Sequence, residues 1–298
     1  MRIIISGSSG LIGSALVPAL EAAGHQVVRL VRTSTDGASG EISWNPTAGD
    51  LHPDAVEGVD AVINLNGRSI AGDRWSPQIR EDLRASRLDP TTTLADAVRR
   101  AKRPPSLLIN ASAVGFYGDR GEESLDESSS SGEGFLAELS RDWEAAALAT
   151  RSEDTRVVLL RLGMVLAREG ALGKMLTPFK LGLGGPVGSG RQFWPWVAID
   201  DVSGIVDFIL HRPEIVGPVN VVAPQETRCS EFARTLGRVL SRPAILPAPA
   251  FAVRLALGEM ADSLLLASQR VRPKILETAG YEFRNPTLDG AIRTALSR

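Results

Sequence analysis

The first 32 residues constrain the fold of this chain more than any other stretch. Arg2-Ile3-Ile4-Ile5-Ser6 is a short apolar run, Gly7-Ser8-Ser9-Gly10-Leu11-Ile12-Gly13 a glycine-rich bend, the segment up to Gly24 an amphipathic pattern, and Gln26-Val27-Val28-Arg29-Leu30-Val31-Arg32 a second apolar run. Read in order, these are strand, turn, helix and strand, which predicts an α/β chain with a doubly wound parallel sheet, the Rossmann fold. Gly7 lets the chain leave the strand in a conformation closed to side chains, and Gly10 lets backbone approach a pyrophosphate. Gly13 lets the helix lie close against the sheet. The helix N-terminus then offers free N–H groups and a partial positive charge to phosphate. The spacing is GxxGxxG rather than GxGxxG, so the flanking strand and helix carry much of the reading. A bare turn with no ligand is the plainer alternative.

The end of the second strand bears on cofactor choice. An NAD site carries Asp or Glu there, whereas this chain has Val31-Arg32, and an arginine pairs with a 2′-phosphate. NADP(H) is therefore expected over NAD(H), the alternative for Arg32 being a solvated strand end. A net charge of -2 over 298 residues offers neither nucleic acid nor an anionic membrane a basic face. The single Cys229 excludes an internal disulfide, and no apolar stretch has the length of a membrane span or the look of a leader, so the cytoplasm is the expected location. His25, His52 and His211 are scattered without metal-ligand spacing, and no metal is expected.

Further along, residues 33–40 read as a polar loop near the adenosine end of the cofactor, and 41–44 as a short strand stopped by Asn45-Pro46. Asp60-Ala61-Val62-Ile63-Asn64-Leu65-Asn66-Gly67 is a buried strand whose end, Asn66-Gly67, suits the ligand side of a parallel sheet or an ordinary turn. Residues 77–88 and 91–101 carry helical periodicity, broken at Asp89-Pro90. The next buried strand, 106–111, runs through Ala111 into Ser112-Ala113-Val114-Gly115-Phe116-Tyr117-Gly118-Asp119. Residues 119–134 are acidic and small, a flexible loop that is either a lid or a solvated surface. A helix at 135–150 and a strand at 156–161 follow, then an apolar helix at 172–183.

That helix opens into Gly184-Gly185-Pro186-Val187-Gly188-Ser189-Gly190-Arg191-Gln192-Phe193-Trp194-Pro195-Trp196. Glycines beside an arginine and aromatics suit a wall over a flat or anionic ligand, with Arg191 as a bidentate fork and Trp196 among the rings. A buried aromatic cluster fits the same residues equally well. Val197-Ala198-Ile199-Asp200-Asp201-Val202 reads as a short strand and a helix start capped by Asp201, and 219–222 as another strand. Helices at 231–240, 250–257, 270–279 and 288–296 complete a smaller, mostly helical lobe. Two interleaved domains are expected, 1–170 for the dinucleotide and 171–298 on the substrate side, with 197–222 returning to the first.

The glycine loop, the Leu65-Asn66-Gly67 strand end and the Ser112 to Tyr117-Gly118-Asp119 segment resemble the extended short-chain dehydrogenase/reductase superfamily. Phe135-Leu136-Ala137-Glu138, Arg141-Asp142-Trp143-Glu144, Gly182-Leu183-Gly184-Gly185-Pro186, Gly188-Ser189-Gly190-Arg191-Gln192, Pro249-Ala250-Phe251 and Gly258-Glu259-Met260-Ala261-Asp262 sharpen the likeness. Together they resemble the epimerase-like family known as nucleoside-diphosphate-sugar epimerase or cell-division inhibitor, with a C-terminal domain of its own. The resemblance implies cofactor contacts at Gly7, Ser9, Gly10, Leu11, Ile12, Gly13, Arg32, Asn66, Gly67, Ala111 and Leu162, the last near the nicotinamide. It implies a homodimer paired through helices such as 77–101 and 135–150. One element of the superfamily is missing: a catalytic Tyr followed four positions later by Lys. Tyr117 is followed by Gly121, Tyr281 by Asn285, and Phe135 on the expected helix by Leu139. Ser112 as a hydrogen bonder and Tyr117 as proton donor are the substitutes, although the superfamily's serine register falls on Ala113. Three functions follow: an NADP-dependent oxidoreductase or epimerase acting on a small polar substrate, a non-catalytic NADPH-binding regulator, or an empty scaffold.

Overall fold

The computed structural model describes residues 1–32 and 40–297. The chain divides into two compact units, one formed by 1–112, 139–160 and 203–219, the other by 113–138, 161–202 and 220–298. The chain crosses between them several times, at 112–113, 160–161 and 219–220 near the ends of sheet strands and at 138–139 and 202–203 within helices.

The first unit is organised by a seven-stranded sheet. Its strands are β1 (Arg2–Ser6), β2 (Gln26–Val31), β3 (Glu41–Ser43), β4 (Ala61–Asn64), β5 (Leu107–Ala113), and further on 156–162 and 217–221. Strand order runs outward from β1 through β2 to β3 on one side and through β4, β5 and the two later strands on the other. The order therefore reverses between β1 and β4, whose carboxyl ends flank the crevice where such sheets take their ligands. The pairs β3–β2–β1–β4–β5 are parallel, with Ser6 opposite Asn64 and Asn64 opposite Asn110. Ile3, Ile4 and Ile5 are all fully buried. A continuous apolar run of this kind belongs to a strand covered on both faces.

Helix α1 (Leu11–Ala22) buries Gly13, Leu16 and Leu20, one stripe at helical spacing. Helix α2 (Pro77–Arg100) is continuous, where the sequence predicts a break at Asp89-Pro90. Pro90 removes one backbone donor, but a buried face containing Leu83, Arg87, Thr91, Leu94 and Val98 holds the helix together across it. Ile4, Val28, Trp44, Val62, Leu94, Val98, Leu108, Val157 and Leu159 form the core on one side of the sheet. The expected adenosine-side loop lies, apart from Gly40, outside the described residues.

In the second unit residues 119–134 are not a loose loop. They contain β6 (Ser124–Leu125), paired in parallel with a two-residue strand at Arg270–Val271. Gly132 N–H donates to the Phe116 carbonyl, Arg120 N–H donates to the Ser268 carbonyl, and Asp119 accepts from Ser268 N–H. The acidic composition suggested solvation, but the backbone donors and acceptors are taken up by tertiary partners. The strand at Arg270–Val271 also shortens the helix expected at 270–279 to Lys274–Thr278. Helices Ala250–Leu257 and Leu288–Leu296 stand where the periodicity places them. Asp201, expected as a cap, lies inside the helix Ile199–Leu210 and accepts from the backbone N–H groups of Arg284 and Asn285 at 2.7 and 3.0 Å. Among the described residues no helix is long and apolar enough to cross a membrane, and no group of side chains can hold a metal ion.

Candidate functional site

The glycine turn is built for backbone contact. Gly7 has φ +78°, and a Cβ there would lie 2.8 Å from the Leu65 carbonyl carbon, so the turn leans directly on the end of β4. At Gly13 a Cβ would meet the Gly7 carbonyl oxygen at 2.3 Å, which forces helix α1 against the turn. Gly10, the N-cap of α1, gives its helix no side-chain cap, and the first turn holds no acidic residue. A helix start without a side-chain acceptor, carrying the positive end of the dipole, suits an anion. Ser9 and Gly10 are exposed, Leu11 and Ile12 half-buried. Arg32, at the end of β2, is exposed with no acidic residue beside it in sequence.

Behind this turn runs a row of buried neutral polar groups. Ser6 donates to Asn64 Oδ1 at 2.9 Å, and Asn64 Nδ2 donates to Asn110 Oδ1 at 2.6 Å and to Thr91 Oγ1 at 2.8 Å. Trp143 Nε1 donates to Thr91 Oγ1 at 2.9 Å. The Asn66 side chain closes back on Asn64 Oδ1 at 2.9 Å, tying the candidate ligand residue to the ladder. Sequence reasoning missed this ladder, although a signal was present: the apolar runs 2–6, 61–64 and 107–110 all end in Ser or Asn, and parallel register sets those ends side by side.

Arg87 was also missed. Its guanidinium donates to the carbonyls of Leu83 and Arg68, each at 3.0 Å, and lies 5.1 Å from the Trp143 ring centroid. Burial pushes its pKa down to about 10. Ala111 is buried in β5, and Ser112 beyond it donates to Glu144 Oε1 at 2.7 Å, both side chains being buried. The hydroxyl proton is thus committed to a carboxylate, which leaves the Ser112 oxygen as an acceptor.

The second unit contains the remaining expected residues. Leu162 is half-buried. Tyr117 is 0% exposed; its hydroxyl donates to Asn220 Oδ1 at 2.7 Å and accepts from Arg161 Nη1 at 3.0 Å. Burial pushes the phenol pKa up, against the pull of Arg161. A tyrosine that hands on a proton is served by the opposite shift and an open edge, and this ring has neither. Glu127 completes the cluster: Oε1 accepts from the N–H groups of Asn220 and Ile275 at 3.1 and 3.3 Å, while buried Oε2 has no hydrogen-bond partner among the described residues. Desolvation raises its pKa.

Trp196, expected against substrate, is 1% exposed, donates its indole N–H to Thr227 Oγ1 at 2.9 Å, and packs with Leu172, Phe232, Leu236 and Ile292. The aromatic-cluster alternative describes it, since an indole enclosed on all sides has no face left for a ligand. Arg191 is exposed, and its carbonyl accepts from Arg228, which pairs with Glu122 at 2.7 Å. Cys229 is buried and its thiol is pushed up to about 11, an unreactive state.

Residues 3–222 match the model of the NAD dependent epimerase/dehydratase family, and residues 248–295 match a domain of unknown function, DUF1731. An epimerase family protein of Mycobacterium bovis is 44% identical over 99% of this chain and 98% of its own. The human epimerase family protein SDR39U1 is 37% identical over 98% of this chain and 99% of its own. The crystal structure of that human protein (isoform 2) with NADPH superposes with a TM-score of 0.91, at 36% identity and full coverage of both chains. A nucleoside-diphosphate sugar epimerase from Corynebacterium glutamicum gives 0.81 at 34% identity, covering 99% of this chain and 58% of that one.

Proposed function

The chain belongs to the NAD dependent epimerase/dehydratase family, and on that premise we propose that it binds NADP(H) and performs hydride chemistry on a small polar substrate, as an oxidoreductase or epimerase. The observation that carries the reading is the start of α1: a helix N-terminus with no side-chain cap and no acid, set over a turn in which Gly7 and Gly13 leave no room for a Cβ. The human relative crystallised with NADPH supports the same cofactor. Gly7, Ser9, Gly10, Leu11, Ile12 and Gly13 would hold the pyrophosphate, Arg32 the 2′-phosphate, and Asn66, Gly67 and Ala111 the remainder of the dinucleotide that the first unit reaches. When bound, the nicotinamide supplies a hydride donor or acceptor.

Ser112 is then the group that meets the substrate. With its hydroxyl hydrogen-bonded to Glu144, its oxygen accepts from a substrate hydroxyl. Arg191 is the candidate for an anionic part of that substrate. Tyr117 has no part in proton transfer in this reading.

A second reading has a specific observation behind it. The absent Tyr-x-x-x-Lys pair and the buried, upshifted Tyr117 favour a regulator that binds NADPH and turns nothing over. Two measurements separate these accounts. Titration with NADPH and NADH should show tighter NADPH binding in the wild type, and Arg32→Ala should lose about tenfold of that preference, as expected for one charge-assisted phosphate contact. Equal affinity for both cofactors defeats the role of Arg32. Steady-state oxidation of NADPH against carbonyl compounds and sugar nucleotides should then show turnover; tight binding with no turnover favours the regulator.

A further inference from the structure

A buried cation normally comes with a buried anion, because desolvating a lone charge is costly. Arg87 breaks that rule. It is 9% exposed, yet no carboxylate pairs with it among the described residues. Its hydrogen-bond partners among the described residues are all neutral oxygens: the Leu83 carbonyl, the Ser86 hydroxyl at 3.3 Å and the Arg68 carbonyl. The nearby arginine that does carry surface charge, Arg68, is already paired with Asp73 and Asp82, both at 2.6 Å. Neither acid turns to Arg87.

The guanidinium lies against an exposed stretch of backbone. Gly67, the exposed residue after Asn66, is the neighbour on its outer side, and a Cβ there would already lie 3.4 Å from Arg87 Cζ. Glycine at this point sets backbone, with no side chain, against the face of the guanidinium. Three hydrogen bonds and the Trp143 ring hold the fork in one orientation. A held guanidinium is the arrangement that recognises oxyanions through two parallel N–H groups.

We propose that Arg87 and the Asn66-Gly67 strand end form an oxyanion site, taking a phosphate or carboxylate group that supplies the missing negative charge. The site adjoins the glycine turn, which leans on Leu65 and Asn66, and the same strand end is assigned to the dinucleotide above. One oxyanion chemistry has two sources here, a phosphate of the cofactor or an anionic group of the substrate.

The test is thermal unfolding of the full chain with inorganic phosphate against chloride of equal ionic strength. Wild type should gain stability from phosphate beyond chloride. Arg87→Met should lose that response, and Arg87→Lys, which keeps the charge without the fork and guards against a folding defect in the methionine variant, should bind phosphate roughly tenfold more weakly. Gly10→Asp, which sets an acid at the start of α1, should keep the response. A wild type indifferent to phosphate overturns the proposal. So does a response that survives in Arg87→Met, or one that vanishes in Gly10→Asp while Arg87→Met retains it. NADPH titration of Arg87→Met then assigns the source: weakened binding points to a cofactor phosphate, unchanged binding to the substrate. Should wild type fail to bind NADPH at all, the dinucleotide reading falls while the phosphate response still decides the role of Arg87.

Discussion

The Ser6, Asn64, Asn110, Thr91 and Trp143 ladder of the first unit and the Tyr117, Arg161, Asn220 and Glu127 cluster of the second are both buried, yet they are built from different chemistry. The ladder is neutral, amide and hydroxyl throughout, and its register is set by strand pairing. The cluster holds a guanidinium 3.5 Å from the Phe116 ring centroid, a phenol and a carboxyl with one oxygen lacking a hydrogen-bond partner among the described residues. A neutral network stabilises in the same way at every pH. A charged one ties stability to protonation. The neutral ladder lies behind the turn proposed to grip a dinucleotide, where a fixed geometry matters most.

The largest way to break this contrast is at the hub of the ladder. Asn64→Leu leaves Ser6, Asn66, Thr91 and Asn110 without a shared partner and should cost about 3 kcal/mol in urea unfolding, by the same amount at mildly acidic and neutral pH. A pH-dependent loss would show that the ladder is coupled to a charge. Tyr117→Phe removes the hydroxyl bonded to both Asn220 and Arg161 and should cost about 2 kcal/mol, with NADPH affinity unchanged. A collapse of kcat on an identified substrate would return Tyr117 to the chemistry.

Glu127 sharpens the comparison. Burial raises its pKa above the ordinary 4.5, so the native state holds the proton more tightly than the unfolded chain does. That contribution is fully present below 4.5 and is lost as pH rises through the raised folded value. Glu127→Gln should therefore flatten the decline of stability with rising pH in this window; an unchanged slope rules Glu127 out as its source. The smallest effect is at the rim of the same cluster. Lys274 holds Asp126 down to about 2, so their attraction is present above 3.8 and fades as pH falls toward 2. Because Lys274 is exposed, Lys274→Ala should shift the acid limb of the unfolding curve only slightly, and less still in high salt.

Much of the fold was legible because its signals are local. The glycine turn, the buried strands and the helices Ala250–Leu257 and Leu288–Leu296 follow from backbone needs and periodicity within a few residues. The errors lie where distant partners decided. Pro90 does not break α2 because the buried face on both sides of it outweighs one lost donor. Asp201 serves the backbone at 284–285 rather than its own helix, and residues 119–134 are ordered by partners as far away as Ser268.

By itself, the sequence determined that a strand, a glycine turn and a helix would open a doubly wound sheet, and that no Tyr-x-x-x-Lys pair would be present. Only the tertiary structure decided that Tyr117 and Trp196 would be enclosed, that Ser112 would donate its hydrogen bond to Glu144, and that Arg87 would be buried with no acid paired to it among the described residues. The reason is range: turn geometry and periodicity act between neighbours along the chain, whereas burial and the direction of a hydrogen bond depend on which residues the fold brings together from far apart.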